Sequence, residues 1–196
     1  MARPREFDID DATERAMALF WSRGYEGSSL SDLLEVMLIA RGSLYKAYGD
    51  KRAVWLAALN HYDQTVVQPT AAALADASAG PGLARIAALL DAPASAVREH
   101  DERRGCFLCN AAVDRGPEDK DGRARVLAMF ERLETGLRAA LGDEAARQDW
   151  TPEMVALKAS MTLSVYVGLR VLVRAGAPIA SIEAIAAGHL ATLTEN

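Results

Sequence analysis

The chain has 196 residues, of which 51% are hydrophobic, 25% charged and 6% aromatic, and its formal net charge is −5. That length buries a real core, and the composition is that of a folded, helix-forming chain. The charge excludes nucleic-acid binding by bulk positive potential: residues 1–61 carry 8 Lys and Arg against 9 Asp and Glu, so any such contact rests on where single cations stand.

Met1-Ala-Arg-Pro-Arg5 leads into an acidic stretch and does not read as a signal peptide. The most apolar run, Ala159 to Leu169 between Lys158 and Arg170, is too short to span a bilayer. Two cysteines make no disulfide framework. A cytoplasmic protein with no membrane partner is expected.

No strand alternation and no repeat stands out. Ala12, Ala16, Leu19 and Phe20 form a helical stripe from Asp10 to Arg23, with Asp10 and Asp11 favouring the positive helix start and Gly24 ending it. A second helix follows Ser29 with Leu30, Leu33, Leu34 and Met37 inward. After a break at Leu38-Ile39-Ala40, a short helix runs from Arg41 to about Tyr48. Asp50 is placed to cap a long helix from Lys51 to about Ala77, which Pro69 should kink or split near Val67. Beyond Ala79-Gly80-Pro81-Gly82, a helix from Leu83 to about Asp91 is interrupted by Pro93 and resumes toward His100. The apolar segment Cys106 to Val113 forms one or two turns, and an amphipathic helix spans Arg123 to about Leu141. Thr151-Pro152 joins an N-cap to a first-turn proline and opens a helix to Arg174. Pro178 opens the last helix, to about Leu193. The fold class is all-α, with about nine helices.

Residues 28–51, SSLSDLLEVMLIARGSLYKAYGDK, hold two short helices about a tight turn, the helix-turn-helix pattern. In such a unit the second helix enters the major groove with its N-terminal residues at base edges. Here Arg41 offers a guanidinium for guanine or phosphate, Gly42 lets the backbone approach, and Ser43 is a short donor and acceptor. Tyr45, Tyr48 and Lys51 stand where phosphates would pass, and Lys46 projects from another face.

The ordered run Ala16-x-x-Leu19-Phe20-x-x-x-Gly24-Tyr25, then Gly27-x-Ser29-Leu30, then Arg41-Gly42-Ser43-Leu44-Tyr45-Lys46-Ala47-Tyr48-Gly49-Asp50-Lys51, resembles the TetR family of transcriptional repressors. The resemblance implies a three-helix DNA-binding head over residues 1–50 and a helical ligand-binding and dimerisation body over residues 51–196. It implies DNA contact by Ser28, Ser29, Arg41, Gly42, Ser43, Tyr45, Lys46, Tyr48 and Lys51. Partners would be a double-stranded DNA operator, a small-molecule inducer that releases it, and a second copy joined through the last two helices. Two positions depart from the family pattern. Leu38 stands where glycine is usual in the turn, a strain of about 1 kcal/mol if φ is positive. Ala40 stands where Ser or Thr caps the recognition helix, a loss of typically ~1 kcal/mol.

In the body, Tyr62, Val66, Cys106, Phe107, Met129, Phe130, Met161 and Tyr166 read either as plain core or as walls of an apolar pocket for an apolar or aromatic inducer. Cys106 and Cys109 read as small buried hydrophobes or as a candidate thiol sensor near Arg103 and Arg104. One such pair supplies only half of a structural zinc site, so neither metal nor cofactor is expected. On the last two helices, Ala156, Ala159, Ser160, Leu163, Val167 and Arg170, with Ile182, Ile185, Ala186, His189 and Leu190, either pair with a second copy or cover this chain's own core. No catalytic triad, phosphate loop, H-E-x-x-H or carboxylate cluster points to an enzyme. The alternative is a helical thiol sensor or interaction protein whose head is weakened at Leu38 and Ala40.

Overall fold

The computed structural model describes residues 7–115 and 117–194; the opening Met1–Arg5 lies outside them. Among the described residues every regular element is helical. Three helices come first: α1 (Ile9–Arg23), α2 (Leu30–Met37) and α3 (Arg41–Ala47). They are followed by α4 (Lys51–Tyr62), α5 (Gln68–Ala75), α6 (Gly82–His100) and α7 (Phe107–Val113). α8 (Lys120–Gln148), α9 (Pro152–Arg174) and α10 (Ile179–Thr194) complete the chain. A π turn, Asp63–Val67, joins α4 to α5, so the two form one rod and the count of about nine helices holds in that sense.

Local chemistry sets most helix ends. Asp8 accepts from the Asp10 and Asp11 amides to start α1, Asp50 accepts from the Ala53 amide to start α4, and Thr151 caps α9. Three expectations are corrected in detail. Pro69 bends the hydrogen-bond ladder without splitting the rod: the Gln68 amide reaches back five residues, to the Asp63 carbonyl, and the ring lies at the start of α5. Pro93 does not interrupt α6, because Ile86, Leu89, Leu90, Ala94 and Val97 keep that helix seated despite one missing amide. α8 begins earlier and ends later than its apolar pattern indicates. Asp119 caps it through the Gly122 amide (2.9 Å), and its last turns are held by Glu144 accepting from the Gly82 amide (2.8 Å).

One continuous core runs through the molecule. At the N-terminal end Phe20, Leu33, Leu44 and Trp55 are fully buried; in the body Ile86, Leu90, Leu108, Met129, Leu137 and Leu141 are. α4 packs against both α1 and α8, which makes it the beam between the first three helices and the rest. Gly122 on α8 is required there: a Cβ would come within 2.3 Å of the Trp55 ring. Arg52 of α4 grips Asp119 and Asp121 at the start of α8, with Nη2 to Asp119 Oδ1 at 2.9 Å and to Asp121 Oδ2 at 2.6 Å.

The apolar run Ala159 to Leu169 proves to be part of the 23-residue α9, whose mean hydropathy of 1.4 over its most apolar window is enough, by length and composition, to cross a bilayer. One side of α9 (Ala159, Thr162, Tyr166, Leu169 and Val173) packs inside the bundle against α6, α8 and α10.

Candidate nucleic-acid interface and ligand cavity

α2 and α3 form the helix-turn-helix. A reciprocal capping box starts α2: Ser29 Oγ accepts from the Asp32 amide (3.1 Å), and Asp32 accepts from the Ser29 amide (2.8 Å). Leu38 ends α2 in the left-handed region (φ 55°, ψ 39°) and is 72% exposed, so the turn keeps the geometry that favours glycine, and the leucine carries the strain. Ala40 takes the extended N-cap conformation (φ −71°, ψ 151°), with no side-chain acceptor for α3. Leu44 anchors α3 in the core.

The expected DNA-contacting residues divide into two groups. Arg41, Gly42, Tyr45 and Lys46 are exposed on α3, and Ser43 is half-buried. Arg41, Lys46 and Lys51 make no ion pair among the described residues, although the chain is acidic overall. A Cβ on Gly42 would meet nothing within 4 Å, so no described residue requires glycine there. Lys51 Nζ lies 4.2 Å above the Tyr25 ring, at the start of α4.

Two residues are corrected. Ser28 is fully buried and donates to the Gly24 carbonyl (2.7 Å), which closes the α1–α2 connection; it offers nothing to a partner. Tyr48 turns its hydroxyl inward, 2.8 Å from Thr13 Oγ1, and donates to the Ile9 carbonyl (3.2 Å), which ties the end of α3 to α1. Ser29 remains exposed, but its hydroxyl is engaged by Asp32.

The sequence reading missed the joint between α1 and the body. The Arg104 carbonyl accepts from Trp21 Nε1 (3.2 Å), Asn110 Nδ2 (3.2 Å) and Arg174 Nη1 (2.9 Å). Arg174, the last residue of α9, also donates to the Trp21 and Ser22 carbonyls (3.3 and 3.4 Å). Arg23-Gly24 and Arg103-Arg104 were legible only as a helix end and a polar loop.

A cavity of about 410 Å³ opens between α5, α6 and α9. Its lining includes Thr70, Leu74, Arg85, Leu89, Tyr166 and Arg170, with small alanines between. Of the expected wall residues only Tyr166 lines it. Tyr62, Cys106, Phe107 and Met129 are instead fully packed core, and Val66 and Phe130 pack partly buried against it. Tyr62 and Phe107 meet edge to face at 5.6 Å, beneath Trp21 at 5.4 Å from Tyr62. Met161 is turned outward and is 52% exposed, and it does not line this cavity. The missed lining residues had a sequence signal in Arg170, a lone charge in the apolar stretch Val167-Gly168-Leu169-Arg170-Val171-Leu172 and four residues after Tyr166.

Cys106 and Cys109 are both buried, and Cys106 Sγ lies 3.3 Å from the Tyr62 hydroxyl. Hydrogen bonding from Cys109 and then from Tyr62 lowers the Cys106 pKa, while the same pairing, together with burial, raises that of Cys109.

On the last two helices the two alternatives divide between residues. Ala159 is packed inside the chain, as are Ile182 and Ala186 of α10, so these three cover the chain's own core. Met154, Leu157, Met161 and Val171, with Ile185 of α10, are the large apolar side chains left exposed.

Comparison with known proteins agrees with this geometry at both ends of the chain. Residues 12–58 match the family of bacterial regulatory proteins, tetR family, and residues 82–174 match the tetracyclin repressor-like C-terminal domain. The chain is 34% identical over 142 residues to the HTH-type transcriptional regulator YezE of Bacillus subtilis (strain 168), covering 71% of this chain and 69% of that one. It is 28% identical over 187 residues to the HTH-type transcriptional repressor ComR of Escherichia coli (strain K12), covering 94% and 88%. Among solved structures, a cysteine mutant of the TetR family transcriptional regulator CifR, complexed with 26-bp double-strand operator DNA, superposes with a TM-score of 0.83. That match has 30% identity and covers 96% of this chain and 98% of CifR. With its helix-turn-helix, its helical body and these matches, the chain belongs to the TetR family of bacterial regulatory proteins and is a transcriptional regulator, not an enzyme.

Proposed function

We propose that the chain acts in the cytoplasm as a homodimeric repressor that leaves its operator when a small molecule with an apolar or aromatic body occupies the cavity between α5, α6 and α9. Residues 1–50 serve as the head and residues 51–196 as the body. The observation that carries the reading is the surface of α3. Arg41, Gly42, Tyr45 and Lys46 are exposed there, and among the described residues neither a salt bridge nor a packing contact accounts for the two cations or the glycine. Such a helix start suits the major groove, with Arg41 and Ser43 at base edges, Lys46, Tyr45 and Lys51 toward phosphates, and Ser29 at the start of α2 near the backbone. The CifR complex with operator DNA, at 30% identity, supports the same use.

Dimerisation is supported by the apolar stripe left open on α9 (Met154, Leu157, Met161 and Val171) beside Ile185 of α10. Two copies joined there would form a four-helix bundle and cover it. Release follows from the joint: Arg170 lines the cavity, and Arg174, one helical turn later, holds the end of α1 through the Trp21 and Ser22 carbonyls. Thr70, next to Pro69 and beyond the π turn, brings the other cavity wall onto the α4–α5 rod. A ligand that favours one arrangement of α5 against α9 would change the separation of the two heads.

Fluorescence anisotropy with the DNA upstream of the chain's own gene tests this reading. Sequence-selective, salt-sensitive binding is expected, and affinity equal to that for unrelated DNA would overturn it.

A further inference from the structure

We infer that the cavity between α5, α6 and α9 takes an organic anion, a small aliphatic or aromatic carboxylate whose charged end lies against Arg170 and the Tyr166 hydroxyl. This rests on reading the cavity as the inducer site, and it adds a charge to a ligand that the sequence alone describes only as apolar or aromatic.

Arg170 is a cation with no carboxylate paired to it among the described residues; the Tyr166 and Tyr62 hydroxyls and the Cys106 thiol are the ionisable groups around it. Its Nε and Nη2 both donate to the Tyr166 hydroxyl (3.0 and 2.8 Å), a neutral group. It forms no salt bridge among the described residues, and its Nη1 makes no hydrogen bond among them. The carboxylate that feels its charge, Glu102, is already taken by Arg104, whose Nε and amide both donate to it at 2.7 Å. Burial works against this charge, and the Tyr166 hydroxyl and the Cys106 thiol, rather than a carboxylate, offset it, so a ligand carboxylate would be its first carboxylate partner among the described residues. The Tyr166 hydroxyl accepts both of its bonds from Arg170, which leaves its own O–H free to donate. Tyr166 and Arg170 both line this one cavity, and Arg170 Nη1 with the Tyr166 O–H would supply the two donors that a carboxylate accepts with its two oxygens.

Arg85 adds to this on the opposite helix. Its charge is matched by Asp143, and Nη1 donates to the Leu74 carbonyl, but its Nε is buried with no partner among the described residues. Between the two guanidinium groups the wall is Ala73, Ala84, Ala88, Leu89 and Ala92, and these short apolar side chains leave about 410 Å³ for the body of the ligand. Both cations are positioned by helices that pack in the core, so the site is built before any ligand arrives.

Isothermal titration calorimetry of the full chain without DNA tests the inference. The probes are benzoate and straight-chain alkanoates of four to ten carbons, each against the alcohol of the same skeleton. At least one carboxylate should bind at least tenfold more tightly than its alcohol. Arg170→Met should erase that preference, and Arg170→Lys should keep part of it. Tyr166→Phe removes only the hydroxyl and should weaken carboxylates while leaving alcohols unchanged, which keeps the test decisive if Arg170→Met fails to fold. The inference is overturned if no carboxylate binds, if alcohols bind equally, or if Tyr166→Phe leaves carboxylate affinity unchanged. Operator affinity is read separately. Release of DNA by alcohols alone would leave the regulator standing and overturn the anion site. Carboxylate binding without any change in operator affinity would sustain the anion site and overturn the inducer reading.

Discussion

Replacing Ala40 by serine supplies the cap that α3 lacks, and its effect follows from a comparison inside the molecule. Ser29, which caps α2, has φ −75° and ψ 162°, and Ala40 has φ −71° and ψ 151°, so a serine at position 40 needs no backbone adjustment. Ser29 Oγ accepts from the Asp32 amide at 3.1 Å; the matching amide in α3, Ser43, turns instead to the Ala40 carbonyl at 2.9 Å, which also takes the Leu44 amide at 3.1 Å. A serine cap in place of alanine is worth about 0.5–2 kcal/mol. Because the Ser43 amide already has a partial substitute, the lower part of that range applies, about 0.5–1 kcal/mol. For a chain of this size that raises Tm by roughly 1–4 °C. Amide exchange at Ser43 and Leu44 should slow by about two- to fivefold if α3 opens locally. Ala40→Val, which adds bulk at the same exposed position without an acceptor, serves as the control. If Ala40→Ser leaves both Tm and exchange at α3 unchanged, or if Ala40→Val matches it, the missing cap is not what limits this helix.

Three further outcomes bear on the interface and its anchoring. Gly42→Ala should stabilise the fold by up to about 1 kcal/mol, since the site is open and helical, yet weaken operator binding by about tenfold; unchanged anisotropy would show that the backbone does not approach DNA there. Lys46→Ala removes two cations from a dimer, so the slope of log K against log salt should shallow by about 1.8 while thermal stability stays within about 0.5 kcal/mol. Hydrogen bonding from Arg52 holds the Asp119 carboxyl down to about 2, below its ordinary 3.8. A depressed acid stabilises the fold above its unfolded pKa, so this contribution is complete above about pH 4 and is lost as pH falls from there toward 2. In urea titrations Asp119→Asn should lower the midpoint at neutral pH and flatten its decline over that acid window; an unchanged acid limb would assign that decline to other groups.

The helix-turn-helix was legible because its signals are local. Capping and turn residues such as Ser29 and Asp50, the apolar period from Ala12 to Phe20, and the unbroken run Arg41 to Lys51 each act within a few residues of chain. Leu38 and Ala40 were legible in the same way: the chain keeps the left-handed turn and the extended cap position whether or not the residues suit them. Packing decided the rest. α9 is apolar on nearly every side, so its period cannot choose between Ala156–Ala159–Leu163 and Leu157–Met161–Val171 as the free face; one residue along a helix turns a side chain by about 100°, and only contact with α6, α8 and α10 sets which stripe stays open. Ser28 and Ser29 are adjacent and chemically identical, yet one is sealed against Gly24 and the other exposed. The cavity, too, is a property of three helices remote in sequence: α5 and α6 bring alanines and Arg85 to the place where α9 brings Tyr166 and Arg170, and no local pattern encodes that meeting.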